Sequence, residues 1–358
     1  MTRSTLEPLR LLCWEGYDTP ALLDTFKRRH GIEVYAKTLL SDAATAIELA
    51  NADHGQWDVI NINNAYVRDY LHPRGLIQPL DESFFGDFSN STLAPFERQK
   101  TWTRDMDGAL IGVCQRFGPF NLVVNSARID VCSAADQGFA LAADPAYRRR
   151  FGILEYEDFN LFHLCIACSL NPFQVLSAEQ ESDVEEMARS WYESALLAND
   201  DHHVLNKALI DGEIDFYLSG GVYTVSPARL AGHTNLCAIT PRSGPIDGRG
   251  GIVFTEITSA LARPDASPLA PMFLNYLLEP ETAIRAAFVQ GTCNPVAQMG
   301  QPQVFNAFSA EQLKAIQWDS LLEDVSRCAD YQIMPNHDSL LTRLRGVRAH
   351  ARSLGKFS

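Results

Sequence analysis

The chain has 358 residues, 46% of them hydrophobic and 21% charged, with a formal net charge of −14. That length exceeds one ordinary hydrophobic core and suits two domains. The composition excludes disordered, collagen-like and coiled-coil chains, and the acidic balance excludes nucleic acid and anionic membrane surfaces as partners, because both would repel it.

No stretch approaches the roughly 18 to 20 uninterrupted apolar residues that a membrane span requires. The segment Met1 to Pro8 has neither a long apolar run nor a small-residue cleavage site, so no signal peptide is read in the chain. The eight cysteines (Cys13, Cys114, Cys132, Cys165, Cys168, Cys237, Cys293 and Cys328) follow no metal-site or disulfide-framework spacing. Cys165-Ile166-Ala167-Cys168 matches C-x-x-C but sits in the apolar run Phe162 to Leu170, which favours core packing over redox chemistry.

The first third alternates strand and helix signals, which predicts parallel βαβ units. Leu9 to Cys13 reads as a strand. Asp18 or Thr19 can cap the helix that follows, with Pro20 at its first position, the basic last turn Lys27-Arg28-Arg29-His30 suited to the helix dipole, and Gly31 as its stop. Ile32 to Ala36 is a second strand, Ser41 or Asp42 caps a helix running through Leu49, and Trp57 to Ile62 is a third strand. Polar and aromatic residues meet the carboxyl ends of the first and third: Trp14-Glu15-Gly16-Tyr17 and Asn63-Asn64. Open α/β sheets bind ligands at such ends. Two rings and a carboxylate there suit a cationic amine, because a ring face attracts it by roughly 0.5 to 2 kcal/mol and a carboxylate anchors it. Plain packing at a strand end is the competing reading.

A short helix near Val67 to Leu71 leads into Gly75 to Asp81, and Phe84 to Thr103 reads as irregular with short helices. Two strands, Ala109 to Val113 and Asn121 to Asn125, flank Gln115 to Phe120, the expected crossing between lobes. A second α/β block starts at Gly152-Ile153-Leu154, passes the acidic Glu155-Tyr156-Glu157-Asp158, and continues through the apolar helix. Glu181 to Leu197 is an amphipathic helix with Val184, Met187, Trp191 and Ala195 as a core stripe. Val204 to Asp211 is a helix stopped by Gly212, followed by strand Ile214 to Leu218 and the turn Ser219-Gly220-Gly221. Gly251 to Leu261 is a further strand, and helices dominate afterwards at Pro268 to Leu278, Pro280 to Phe288, Ala310 to Ile316 and His337 to His350.

This order of signals resembles the spermidine/putrescine class of solute-binding proteins of ABC uptake systems. Trp14-Glu15-Gly16-Tyr17 with Gly31-Ile32-Glu33-Val34 is similar to that family's W-S-D-Y turn and G-I-x-V strand. Trp57-Asp58-Val59-Ile60 through Asn63-Asn64-Ala65-Tyr66-Val67 to Gly75-Leu76-Ile77-Gln78-Pro79-Leu80-Asp81 is similar to its Y-D-V-V-x-P-S-x-Y-x-V and G-x-L-Q-P-L-D stretch. Gly250-Gly251-Ile252-Val253-Phe254-Thr255-Glu256 resembles G-G-x-x-W-x-D, and Asn275 to Glu281 resembles F-I-N-F-L-L-x-P-E. The resemblance implies an α/β chain of the two-lobed periplasmic-binding-protein type II fold, each lobe a mixed sheet flanked by helices, with a ligand cleft between lobes that close by a hinge. On this basis 1–118 with 258–306 form lobe 1 and 119–257 with 307–358 form lobe 2. The implied function is capture of a small amine or zwitterionic solute by a monomer for ABC permease subunits, with no catalysis, cofactor or metal. The compartment is periplasmic by the resemblance, with the cytoplasm as the alternative for a chain lacking a visible signal peptide.

Residue by residue, Trp14 and Tyr17 match aromatic cleft walls and Asn63 a hydrogen-bonding serine, with Asn64 beside it. Phe117 matches an aromatic at the lobe crossing, and Asp158 a carboxylate after the first strand of lobe 2. Phe254 and Glu256 match a tryptophan and an aspartate that sandwich and neutralise an ammonium. The departures bear on the ligand. Glu15 stands where the family has serine and Gly16 where it has an acid. The aromatic expected near Ser219 is absent, and Thr292-Cys293-Asn294 replaces a segment where tyrosine is common; Ser219 and Thr292 remain candidate contacts. Arg116, if it faces the site rather than solvent, favours a ligand with a carboxylate, which makes an amino-acid-like solute a better fit than a free polyamine. Glu256 lies in an apolar strand and needs a partner, a ligand amine or a neighbouring Arg or Lys. The alternative function is an enzyme or intracellular sensor on the same fold, with Cys114 or Cys293 as nucleophile, although no base pairs with either in the sequence. His163, His202 and His203 show no metal-ligand spacing with other donors.

Overall fold

A computed structural model describes residues 7–51, 56–85 and 102–356. The chain divides into two units, Met1–Phe117 with Phe254–Ser309 and Gly118–Val253 with Ala310–Ser358. The second boundary therefore falls at 253/254 instead of 257/258, which assigns Phe254 and Glu256 to the first unit. The chain start before residue 7, and most of the stretch read as irregular between Phe84 and Thr103, lie outside the described residues.

Strands run at Leu9–Cys13 (β1), Val34–Thr38 (β2), Val59–Asn63 (β3), Val113–Asn125 (β4), Phe151–Leu154 (β5), Leu197–Asn199 (β6), Phe216–Gly220 (β7), Leu236–Ile239 (β8), Gly251–Ala260 (β9) and Cys328–Asp330 (β10). Helices include Pro20–His30 (α1), Asp42–Asn51 (α2), Glu157–Ala167 (α3), Ala178–Ser194 (α4), His202–Asp211 (α5), Val222–Leu230 (α6), Leu269–Leu278 (α7), Pro280–Ala287 (α8) and His337–Ser353 (α9).

In the first unit the sheet order is β2-β1-β3-β9, with β1 parallel to both neighbours and β9 antiparallel to β3. Every residue of β3 is buried, as in strands covered on both faces, so its sequence shows no alternation. α1 begins with Pro20 and ends on Gly31 at φ 64, whose N–H bonds to the Lys27 carbonyl. The missing Cβ makes that left-handed cap inexpensive. Thr19 precedes the helix, but its hydroxyl donates to the Gly16 carbonyl instead of capping. Leu22, Leu23 and Phe26 bury against β1 and α7, with Phe26 edge-on to Phe273 at 5.0 Å. The strands are tied by a buried polar chain: Asn61 Nδ2 donates to Thr258 Oγ1 at 3.0 Å, and that hydroxyl donates to Gln115 Oε1 at 2.8 Å. Such bonding offsets the cost of burying these groups.

In the second unit β8 and β7 flank β4, both antiparallel, and β7, β5 and β6 continue in parallel. β4 corrects the expected pair of strands: it is one 13-residue strand through Arg116, Phe117, Gly118 and Pro119, while Ala109 to Ile111 lies before it. All of β4 is buried, which removes the alternating pattern, and Gly118-Pro119 reads locally as a break although its neighbours hold the strand. On α4 the buried stripe is Val184, Ala188, Trp191 and Tyr192, with Met187 only half-buried. α6 with Pro227 inside it, β6, β8, β10 and the helix Trp318–Ser326 are absent from the sequence reading, each being short or interrupted. Cys165 is buried in α3, and all eight cysteines are free thiols.

Candidate functional site

The site of the first unit begins with Asp42, the first residue of α2, where the helix dipole favours a carboxylate. Asp42 is fully buried. Its Oδ1 accepts the Trp14 indole N–H at 2.9 Å and its Oδ2 accepts from Asn63 Nδ2 at 2.6 Å. Asn63 Oδ1 in turn accepts the Thr255 N–H at 3.2 Å. One buried carboxylate thus orients the ring at the end of β1 and the amide at the end of β3. In the sequence Asp42 reads only as a candidate helix cap, because a carboxylate between Ser41 and Ala43 gives no local sign of this role.

Asn63 is opposite Glu256 in the β3–β9 register. Glu256 and Arg116, each 8% exposed, form an ion pair in which Arg116 Nε donates to Glu256 Oε2 at 2.8 Å. Arg116 Nη2 donates to the Glu15 carbonyl at 2.8 Å, and the guanidinium carbon lies 4.5 Å from the centroid of the Tyr17 ring. Arg116 therefore faces inward, and of the two kinds of partner expected for Glu256 it is a neighbouring arginine that the structure supplies. Burial raises the Glu256 carboxyl pKa, opposed by Arg116 and by the neighbouring Tyr17 hydroxyl. Burial also raises the Tyr17 phenol, with the Glu256 charge acting in the same direction. For Arg116, burial acts to lower the pKa, but the Glu256 charge outweighs it and the guanidinium stays protonated.

Gly16 explains how Arg116 fits. It holds φ 94, and a Cβ there would stand 2.8 Å from Val289 Cγ2 and 3.1 Å from Arg116 Nη1. A side chain at position 16 and the Arg116 guanidinium compete for one space. Asn64, 1% exposed, follows Asn63, and neither its Oδ1 nor its Nδ2 has a hydrogen-bond partner. Phe117 and Phe254 are buried and Glu15 is exposed. The Thr292 hydroxyl donates to the Val289 carbonyl at 2.7 Å and accepts from Asn294 Nδ2 at 2.9 Å.

The structure brings Trp14, Glu15, Tyr17, Asn63, Arg116 and Glu256 together; Asp158 and Ser219 belong to the second unit. There Asp158 pairs with His337 Nε2 of α9 at 2.7 Å. Glu155 and Glu157 are held by Arg345, Arg348 and Arg352 of the same helix, so this acidic run anchors a helix. The Ser219 hydroxyl, at φ 66, donates to Asn160 Oδ1 at 2.5 Å and lies 2.8 Å from His163 Nδ1. Phe139 stacks on His163 at 3.8 Å, and burial lowers the imidazole pKa to about 3. The Asp201, His202 and His203 donor atoms lie within 4.8 Å of one another, but the Asp201 carboxylate already caps α5 by accepting the His203 N–H.

The cysteines offer no activated nucleophile. Cys114 and Cys293 are buried, and burial raises both thiols, Cys293 to about 12. A thiolate is the attacking form, and neither supplies one near neutral pH. Among the described residues no helix is long and apolar enough to cross a membrane.

The chain has the type II periplasmic-binding-protein fold found in the substrate-binding proteins of ABC transporters. A putative spermidine/putrescine ABC transporter from Listeria monocytogenes matches it with a TM-score of 0.70 at 13% identity, covering 97% of this chain and 99% of that one. The spermidine/putrescine substrate-binding protein PotD of Streptococcus pneumoniae, in complex with calcium and HEPES, matches with a TM-score of 0.65 at 16% identity over 96% and 99%. The PBP MotA of A. tumefaciens B6 in complex with glucopine matches with a TM-score of 0.63 at 13% identity over 95% and 99%. No protein-family model and no curated relative matches the chain.

Proposed function

We propose that the chain is the solute-binding component of an ABC uptake system and captures a small amine-containing solute, polyamine-like or amino-acid-like, at the carboxyl ends of β1 and β3. The observation that carries this reading is the Asp42 hub, which holds the half-buried Trp14 ring and the Asn63 amide at 2.9 and 2.6 Å beside the Tyr17, Arg116 and Glu256 cluster. Rings, amides and a paired carboxylate on rigid strand ends are the equipment of a recognition site. The full-length match to transporter binding proteins, two of which are described as spermidine/putrescine components and one as a glucopine complex, supports the same role. On this reading the protein is not an enzyme, works with permease subunits and is exported, with Phe254 and Thr292 as further contacts.

Thermal shift tests it with polyamines, ω-amino acids, α-amino acids and opine-like conjugates. A bound solute at one hundred times its Kd stabilises the native state by about 2.7 kcal/mol. Trp14→Ala should weaken that solute by roughly 2- to 30-fold, the range a ring–cation contact supplies. Absence of any shift across the panel, or an unchanged affinity in Trp14→Ala, removes the reading.

A further inference from the structure

We infer that Arg116 occupies the amine subsite itself and thereby sets the solute class: a ligand that offers a carboxylate, with free polyamines refused. This rests on the solute-binding reading and narrows it.

A subsite for an alkylammonium needs a ring face and a carboxylate. Tyr17 and Glu256 supply both, and the cation found between them is the chain's own guanidinium, 4.5 Å from the ring centroid and 2.8 Å from Glu256 Oε2. The residue before Tyr17 is consistent with the exchange. Gly16 leaves open the space that Arg116 Nη1 enters, since a Cβ at Gly16 would stand 3.1 Å from it. A diamine would have to displace a tethered cation from Glu256 and leave Arg116 buried without its counter-ion, which is costly.

The guanidinium is not used up by these contacts. Nε and Nη2 are bonded to Glu256 and to the Glu15 carbonyl, whereas Nη1 donates no hydrogen bond among the described residues. Two N–H groups on a cation call for an acceptor, and a carboxylate is the acceptor of matching charge. One residue beyond the Asn63–Glu256 pair, Asn64 is buried with both amide atoms unbonded, a second polar group in the same strand end that a ligand would satisfy. The amine of such a solute is assigned to the half-buried Trp14 ring, which Asp42 orients through the indole N–H.

The test compares putrescine binding to the full chain and to Arg116→Ala by calorimetry. The expected result is no measurable binding to the natural sequence and at least tenfold tighter binding to Arg116→Ala, lost again in Arg116→Ala/Glu256→Gln. If Arg116→Ala unfolds for want of the cation, putrescine or low guanidinium chloride should restore its circular dichroism, and Arg116→Lys should fold and still refuse putrescine. Equal putrescine affinity in the natural chain and the variant, or no rescue of the unfolded variant, overturns the inference. In the thermal-shift panel every solute that stabilises the natural chain should carry a carboxylate, and stabilisation by a purely cationic amine also overturns it. That last outcome leaves the solute-binding reading intact, whereas a panel with no hits removes that reading while the gain of putrescine binding in Arg116→Ala still decides who occupies the subsite.

Discussion

Asn63 Nδ2 donates to the buried carboxylate of Asp42 at 2.6 Å, joining the end of β3 to the start of α2. The same carboxylate receives the Trp14 indole, so its loss strands two side-chain donors at once. Each unsatisfied buried group costs about 1 to 3 kcal/mol, and Asp42→Ala should lower unfolding stability by about 2 to 4 kcal/mol. Urea denaturation measures this. A change within about 0.5 kcal/mol, the level of an ordinary surface substitution, would show that the hub does not hold these side chains.

Gly16→Asp should destabilise the chain by about 1 to 3 kcal/mol, because position 16 sits at positive φ and its Cβ meets Val289 and Arg116. In an Arg116→Ala background one of those obstacles is gone, so the penalty should shrink by at least about 0.5 kcal/mol. A double-mutant cycle on melting or urea curves gives the coupling. Strict additivity would mean the two positions do not share space.

Two histidines of the second unit give opposite pH dependences. Burial acts to lower His337, but the Asp158 hydrogen bond and charge outweigh it, so its folded pKa is raised. Its stabilisation is full below the ordinary value of about 6.5 and is lost as pH rises through the folded value. His163 is buried neutral with its pKa lowered to about 3, so the unfolded chain takes up the proton first and stability falls as pH drops from about 6.5 toward 3. Denaturation across pH 4 to 9 in His337→Gln should flatten the alkaline side alone, and in His163→Gln the acid side alone. A natural-sequence profile that both variants reproduce would refute the assignment.

Thiol chemistry separates binding from catalysis. Cys132 is exposed and should react first with a disulfide reagent, while the buried Cys13, Cys114, Cys165, Cys293 and Cys328 should react only on unfolding. Solute binding should survive alkylation of the native protein. Rapid modification of Cys114 or Cys293, with turnover that alkylation abolishes, would favour the enzyme alternative.

The sequence by itself determined the elements whose signals are local. Pro20 and Gly31 bracket α1, polar and aromatic residues cluster at the ends of β1 and β3, and the helices after residue 268 follow from their apolar period. These depend on propensity and patterning within a dozen residues. The tertiary structure alone decided the rest. β4 runs unbroken through Gly118-Pro119 because flanking strands hold it, and full burial erased the alternation that would have announced it. Arg116 and Glu256, 140 residues apart, meet because β4 and β9 are neighbours in the sheet. Which cation answers a buried carboxylate is a question of three-dimensional neighbours, since Coulomb attraction acts across space and not along the chain. The sequence showed that Glu256 needed a partner, and the fold supplied Arg116.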